Sequence, residues 1–545
     1  MPNTKDIDLL PKLNSALANE NWEDLLNLLN PKLFGSLDSG ELIAFQVLSK
    51  VSEILTSENS SETMKIKCLK CLGNSCYNGY KYKEYPSKHF EKENCYYNLY
   101  ATLAESIESL DTCNAYPHDN HFPYEGIAEW ATNYIVSNNS SSTKLSNNEL
   151  EIFRLAIQFL CNLFTFACIH TNYEEHSDIP KFLLILVSIT NLFLDLTHSK
   201  HMPLVKTTCA FVHNALKELH ESYFTETEQH QLGHKLLKPV KEGFTSAKDA
   251  LLILLCQLNT IKYIYEELSM EDKLFILEII YNCASESVYQ SKDECTVCIF
   301  TKDAVDFLSE RFCKRSDTIL KTVDTYVDGI EPTEIIILLD ILGALTSADS
   351  KENEFLKAAK SLLINCAYLL KSVQMIGKES NNFFTPLQKL CDVAPAAQGI
   401  TIEERLAENK NVRQNDVQKN VKTEGIKSDP YSHPAFGFKA GLIRVIGNMC
   451  YKNKVFQDLL REMDVIPLLL DCCNIDARNP LIMQWTILAL RNLCERNPEN
   501  QEIIENCTKV GIVDNSALKE MGLTLHEEEG GKKIGIVPLL RDQEK

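Results

Sequence analysis

Apolar positions recur along this chain at helical spacing, in segments separated by short polar breaks. Between Leu42 and Leu55, the residues Leu42, Phe45, Val47, Leu48, Val51, Ile54 and Leu55 predict a helix with a broad apolar face. Similar spacing predicts helices over Glu271–Tyr281, Ala304–Phe312, Glu334–Leu345 and Glu354–Leu370. One or two short helices are expected between Asp6 and Leu29, with Trp22 as an anchor and Pro31 as a stop. The pattern is most regular from Phe436 to Cys507. Two copies of one helical phrase occur there, GLIRVIGNMCYKN and TILALRNLCERN, with Asn448 and Asn492 at equivalent points 44 residues apart. Two further helices are expected between them, over Val455–Met463 and Val465–Cys473.

Three helices in a period of about 40 residues indicate an armadillo or HEAT type of repeat. The phrase returns early in the chain as MKIKCLKCLGNSCY, Met64 to Tyr77, with Gly73 and Asn74 in register with Gly447 and Asn448. Weaker echoes surround Asn162, Asn214 and Asn282. The fold class expected is all-α, an armadillo/HEAT-like α-solenoid superhelix with irregular repeats over 1–393. Residues 394–432 are polar, charged and nearly free of aromatics, and read as a flexible linker. A second repeat domain is expected over 433–525, closing with a helix near Asn515–Met521. The tail, 526–545, reads as irregular, with IGIVPLL as an extended cap. Asn114–Gly126 reads as a loop and Val136–Asn148 as a low-complexity break.

Charge narrows the class of partner. The formal net charge is −20, which argues against nucleic acid and against anionic membrane surfaces, because both require clustered Lys and Arg. A basic protein or peptide is easier to accommodate. The start, MPNTKDIDLLPK, lacks the apolar run of a secretory signal. Phe182–Leu196 is too short for a span, which needs about 20 apolar residues. Twenty cysteines without a signal imply reduced thiols, hence a cytoplasmic protein. The sequons at Asn59, Asn139 and Asn506 then read as chance matches.

Candidate chemistry is sparse. Cys68 and Cys71 with Cys76, and separately Cys295 and Cys298, have metal-like spacing. Each set falls short of the four ligands of a structural zinc site, and the first lies within a helical phrase where Cys packs as an apolar residue. His198 with His201, and His230 with His234, lack the Glu of a zincin and read as polar surface. No phosphate-binding loop, nucleophile elbow or kinase set occurs. The expectation is no enzyme, no cofactor and no metal, with a metal-handling protein as one alternative.

The residues LIRVIGNMCYKNK, IPLLLD and NP, then a Trp, A-L-R-N-L, E-x-N and NQ, resemble the C-terminal domain of the ataxin-10 family over roughly 90 residues, from about His433 to Leu525. The signature residues are Gly447, Asn448, Pro467, Asn479, Pro480, Trp485, Arg491 and Asn492. The resemblance implies an armadillo-like cytoplasmic scaffold, linked to cytokinesis and cell division, with no catalytic residue to carry over. A second alternative is a nuclear transport adaptor. In such armadillo proteins an Asn bonds the bound peptide, and a Trp four positions earlier forms slots for basic side chains. Here those positions hold Lys70, Gln158, Ala210, Glu278, Arg444 and Leu488, so the Trp ladder is missing.

The binding surface expected is the concave face of the solenoid, taking one or more protein partners. At 100° per residue, Leu481, Trp485, Leu488 and Asn492 share one stripe, matched a repeat earlier by Gly437, Gly441, Arg444 and Asn448, with Tyr451 one turn on. The candidate residues are Arg444, Asn448, Tyr451, Trp485, Leu488 and Asn492. Whether the asparagines face a partner or bridge neighbouring helices stays open at this point, as does homo-oligomerisation.

Overall fold

The computed structural model describes residues 9–34, 43–78, 80–81, 127, 130–135, 146–167, 202–218, 226–289, 300–322, 330–347, 351–379, 382–387, 433, 435–474, 476–507, 519, 522–527 and 534–538. They are mostly helical, and the chain divides into two compact units, Met1–Glu266 and Glu267–Lys545.

In the first unit, α1 (Leu9–Ala18) and α2 (Trp22–Leu28) precede α3 (Phe45–Thr56) and α4 (Glu62–Asn78). Then come α5 (Asn147–Ala167), α6 (Met202–Glu218), α7 (Glu226–Lys241), α8 (Thr245–Leu252) and α9 (Ile261–Glu267). Helices α4, α5, α6 and α8 pack in succession, each against the next. Their inward residues, including Leu72, Phe159, Cys209 and Leu251, are fully buried. Two residues of β1 (Ile43–Ala44) pair in parallel with β2 (Tyr80–Lys81).

The second unit repeats the scheme. Its helices are α10 (Met270–Tyr289), α11 (Lys302–Arg315), α12 (Ile330–Ser347), α13 (Lys351–Leu356), α14 (Lys360–Glu379), α15 (Phe438–Cys450), α16 (Lys454–Glu462), α17 (Val465–Asp471), α18 (Ile482–Cys494) and α19 (Pro498–Glu505). Helices α10, α12, α15 and α18 form the successive row. The 44-residue period read from the sequence is reproduced in backbone detail. Gly437 and Leu481 begin α15 and α18 with left-handed φ of 75° and 61°. Lys452 and Arg496 take φ of 54° and 53°. Asn453 and Asn497 each accept a backbone N–H three residues on, from Phe456 and Asn500, so the repeats start their next helices with the same cap.

Two expectations change. The apolar run over Glu354–Leu370 is two helices, because the chain turns at Lys357–Ala359 with Ala358 and Ala359 bonding back to Phe355 and Leu356. The tail is not irregular throughout: β3 (Leu523–Glu527) pairs antiparallel with β4 (Ile534–Pro538), so IGIVP pairs with LTLHE. Residues 394–432, Asn114–Gly126, 136–145, Phe182–Leu196, the helix expected near Asn515–Met521 (residue 519 apart) and the pairs His198/His201 and Cys295/Cys298 lie outside the described residues. On either side of 394–432, α14 and α15 pack against each other within one unit.

That contact is fastened at one loop. Asp476 accepts the N–H of Leu387 at 3.1 Å and faces the Lys439 ammonium at 3.3 Å. Lys439 is 2% exposed and also donates to the Phe384 carbonyl at 3.2 Å. Asn479 accepts the N–H groups of Lys439 and Ala440 at the head of α15. Arg478 donates to the carbonyls of Asn382 and Thr385, both at 2.6 Å. Phe383 stacks on His433 with ring centroids 3.7 Å apart. Leu387 and His433, which bracket the expected linker, therefore meet at one place.

Candidate functional site

The six candidate residues sit on α15, its C-terminal turn and α18, and the structure brings most of them together. The two helices approach closely at Gly447, where an added Cβ would lie 2.9 Å from both Cα and Cβ of Ala489. That proximity places Arg444 beside Trp485: the guanidinium carbon is 5.3 Å from the ring centroid, within cation–π range. Trp485 is half-buried, presenting part of its ring beside the arginine.

Arg444 is fixed from its other side by α12. Its Nε and Nη2 donate to the Ser347 hydroxyl at 3.3 and 3.0 Å. Gly343 permits this, since an added Cβ would lie 3.2 Å from Nη1 of the arginine. Asp340, one turn earlier on α12, also faces the guanidinium, and burial pushes its carboxyl up despite that positive neighbour. Asn448 donates to Thr346 Oγ1 at 3.2 Å and to Ser347 Oγ at 3.0 Å. One turn further, Tyr451 is 39% exposed, with Lys452 Nζ 4.8 Å and Lys357 Nζ 6.0 Å from its ring centroid. Leu488 is half-buried on α18, and Leu481 is 59% exposed at its head.

Asn492 differs from its repeat mate. It is buried, and its amide donates to the Gly447 carbonyl at 3.0 Å. The sequence echoes explain why. Asn162 donates to the Gly73 carbonyl at 3.4 Å, the same register in the first unit. Asn214 reaches the Cys161 sulfur at 3.2 Å, and Asn74 the Pro31 carbonyl at 2.9 Å. These asparagines bridge each helix to an element before it, Asn492, Asn162 and Asn74 through a carbonyl and Asn214 through a sulfur. Asn282 alone of the six is exposed at the surface. Sequence reasoning missed Lys357 and Ser347, which lie in other segments and carry no motif. It also missed Gln457, buried, which donates to the Asn492 carbonyl at 2.8 Å and the Cys450 carbonyl at 3.3 Å.

The other candidates do not gather into this site. Cys68 and Cys71 are fully buried in α4, and burial pushes both thiols up, Cys71 to about 12. That opposes the thiolate a metal or redox site requires. The rings of His230 and His234 pair within α7, their centroids 4.5 Å apart, and both are half-buried rather than fully solvated. A cleft of about 120 Å³ beside Lys439, Gln374, Asp471 and Asp476 is small against the ~300 Å³ at which small-molecule pockets begin. Among the described residues no helix is long and apolar enough to cross a membrane.

Comparison with known proteins bears on the same segment. Residues 438–535 match the family model described as the spinocerebellar ataxia type 10 protein domain. Over this segment the chain is similar to the ataxin-10 family. Ataxin-10 of Xenopus tropicalis is 34% identical over 278 residues, 51% of this chain and 49% of that protein. Human ataxin-10 is 30% identical over 286 residues, 52% and 51% of the two chains. The ataxin-10 homolog of Dictyostelium discoideum is 45% identical over 95 residues, 17% of this chain and 16% of its own. The chain spans about half the length of the animal ataxin-10 proteins it matches. The candidate residues from Arg444 to Asn492 all fall inside the segment matched by the family model.

Proposed function

We propose that this chain is a member of the ataxin-10 family and a non-enzymatic protein-binding scaffold, an armadillo-like α-solenoid acting in the cytoplasm and contributing to cell division. One observation carries the binding part of this reading. Trp485 of α18 lies beside Arg444 of α15, with Asn448 and Tyr451 on the following turns, and Ser347 of α12 holds Arg444 and Asn448. Trp, Tyr and Arg are the residue types most enriched among interface hot spots. Leu481 adds to it. Its left-handed backbone costs about 1–2 kcal/mol for a branched residue, yet it holds a leucine 59% exposed where the earlier repeat has glycine. Successive packing of like helices supports the solenoid reading, since stacked repeats leave long open faces rather than enclosed pockets. The link to cytokinesis rests on family resemblance alone.

The test is affinity capture with quantitative mass spectrometry, comparing the wild-type chain with Tyr451→Ser/Leu488→Ser. Among the described residues neither side chain holds a buried hydrogen bond, so the melt should stay close to wild type while the specific partners are lost. An unchanged partner set would overturn this surface as the binding site.

A further inference from the structure

The histidine pair of α7, in the run His230-Gln-Leu-Gly-His234, takes no part in the binding surface. A spacing of four puts both rings on one face of the helix. Their Nε2 atoms meet at 3.1 Å, one ring donating and the other accepting, and both rings are half-buried. Gly233, on the same stretch, lets α9 come close, since an added Cβ would collide with the Ile264 side chain. Glu267 closes α9 one turn beyond Ile264, and its carboxylate joins the imidazoles. One donor atom from each of His230, His234 and Glu267 lies within 4.8 Å of the other two. Gln231 stands where a zincin has its general base, so the set offers ligands without that base.

From this we infer that His230, His234 and Glu267 hold one zinc ion, a clip between α7 and the end of α9. Two nitrogens on one tetrahedral zinc, each about 2.0–2.1 Å from the metal, stand ~3.3 Å apart. The observed 3.1 Å is close to that, so the rings need move little. Zinc takes a lone pair from each Nε2, so the donating ring gives up its Nε2 proton to solvent and takes one up on Nδ1. Glu267 is exposed at a helix end, where its side chain can swing the remaining distance. The donor set selects the ion. Two imidazoles and a carboxylate suit zinc, whereas calcium and magnesium take oxygen ligands. Three protein ligands leave the fourth position to water. An ion held by the folded state alone stabilises it, and here the gain falls on α7 and α9.

The test is a zinc titration of the full chain, stripped of metal, against a competing zinc indicator, with cobalt(II) as a spectroscopic probe. One zinc per chain is expected, held through nitrogen and oxygen, so the cobalt spectrum shows d–d bands and no thiolate charge-transfer band. His230→Gln/His234→Gln should lower zinc affinity by more than about a hundredfold and Glu267→Gln by about tenfold or more, against the roughly 10–100-fold that losing an outer partner costs. Zinc should also slow amide exchange in α7 and α9 of the wild type and leave the double variant unchanged. Melts without zinc check each fold; if the double variant does not fold, Glu267→Gln, at an exposed position, carries the test. Zinc retained by the double variant, or a thiolate band with cobalt, would place the ion on cysteines and overturn the site. Zinc lost with the histidines but indifferent to Glu267→Gln would overturn the clip, leaving a chelate within one helix. A wild-type chain that takes up no zinc would overturn the inference outright.

Discussion

Gly447 and Gly73 occupy the same place in the same phrase, and the structure predicts opposite outcomes when each becomes alanine. In a helix interior Gly→Ala is worth about 1 kcal/mol in favour of the folded state. At Gly73 an added Cβ meets nothing within 4 Å, so Gly73→Ala should realise that gain, stabilising α4 by up to about 1 kcal/mol. At Gly447 the added carbon would lie 2.9 Å from the Cα and Cβ of Ala489. One of those atoms is backbone, so α15 and α18 must separate. Overpacking of this kind costs about 1–3 kcal/mol. Separation also stretches the Asn492 bond to the Gly447 carbonyl, now 3.0 Å and worth about 1 kcal/mol. Setting the propensity gain against these costs leaves Gly447→Ala destabilising by about 1–3 kcal/mol. Native-state hydrogen exchange measures both helices separately in the full chain, and each 1.4 kcal/mol changes the opening equilibrium tenfold. Faster exchange in α15 and α18 for Gly447→Ala, with slower exchange in α4 for Gly73→Ala, is the expected result. Shifts of the same sign at both sites would refute the interhelical packing described for α15 and α18.

Leu493 is fully buried whereas Leu490, on the same helix, is only half-buried, so Leu493→Ala should cost about 2–5 kcal/mol and Leu490→Ala clearly less, as read by chemical denaturation. Lys439→Ala should cost about 3–5 kcal/mol, because it leaves Asp476 buried without its ammonium partner; Lys439→Ala/Asp476→Asn should recover part of the loss in the same melt. Burial first, then the Arg478 guanidinium, lowers the pKa of His433 from 6.5 to about 4. As pH falls from 6.5 towards 4 the unfolded chain takes up this proton before the folded one, so stability present above 6.5 is lost across that window. His433→Phe, which keeps the stack on Phe383, should make the acid melting profile shallower over the same range.

The period of the repeat was legible because it repeats in residue chemistry: Asn448 and Asn492 mark it, and the caps at Asn453 and Asn497 keep it. Helix existence was also legible, since long apolar periodicity leaves few alternatives. The role of the asparagines was not. An Asn at a helix end bonds a partner or a neighbouring carbonyl with equal ease, and only the approach of α15 to α18 at Gly447 decides for Asn492. The burial of Lys439 was equally hidden, because its counter-charge Asp476 and its acceptors Gln374 and Phe384 come from distant segments. The break at Lys357–Ala359 carries no Gly or Pro, and it is this turn that brings Lys357 to Tyr451.

The central claim is that proteins bind across Arg444, Trp485 and Tyr451. The most direct measurement places a photo-crosslinking residue at Tyr451, at Leu488 or at Tyr368, the last being 60% exposed on α14, and analyses the adducts formed in cells. The account predicts discrete protein adducts from positions 451 and 488, with none of the same species from position 368. Adducts confined to position 368 would contradict it.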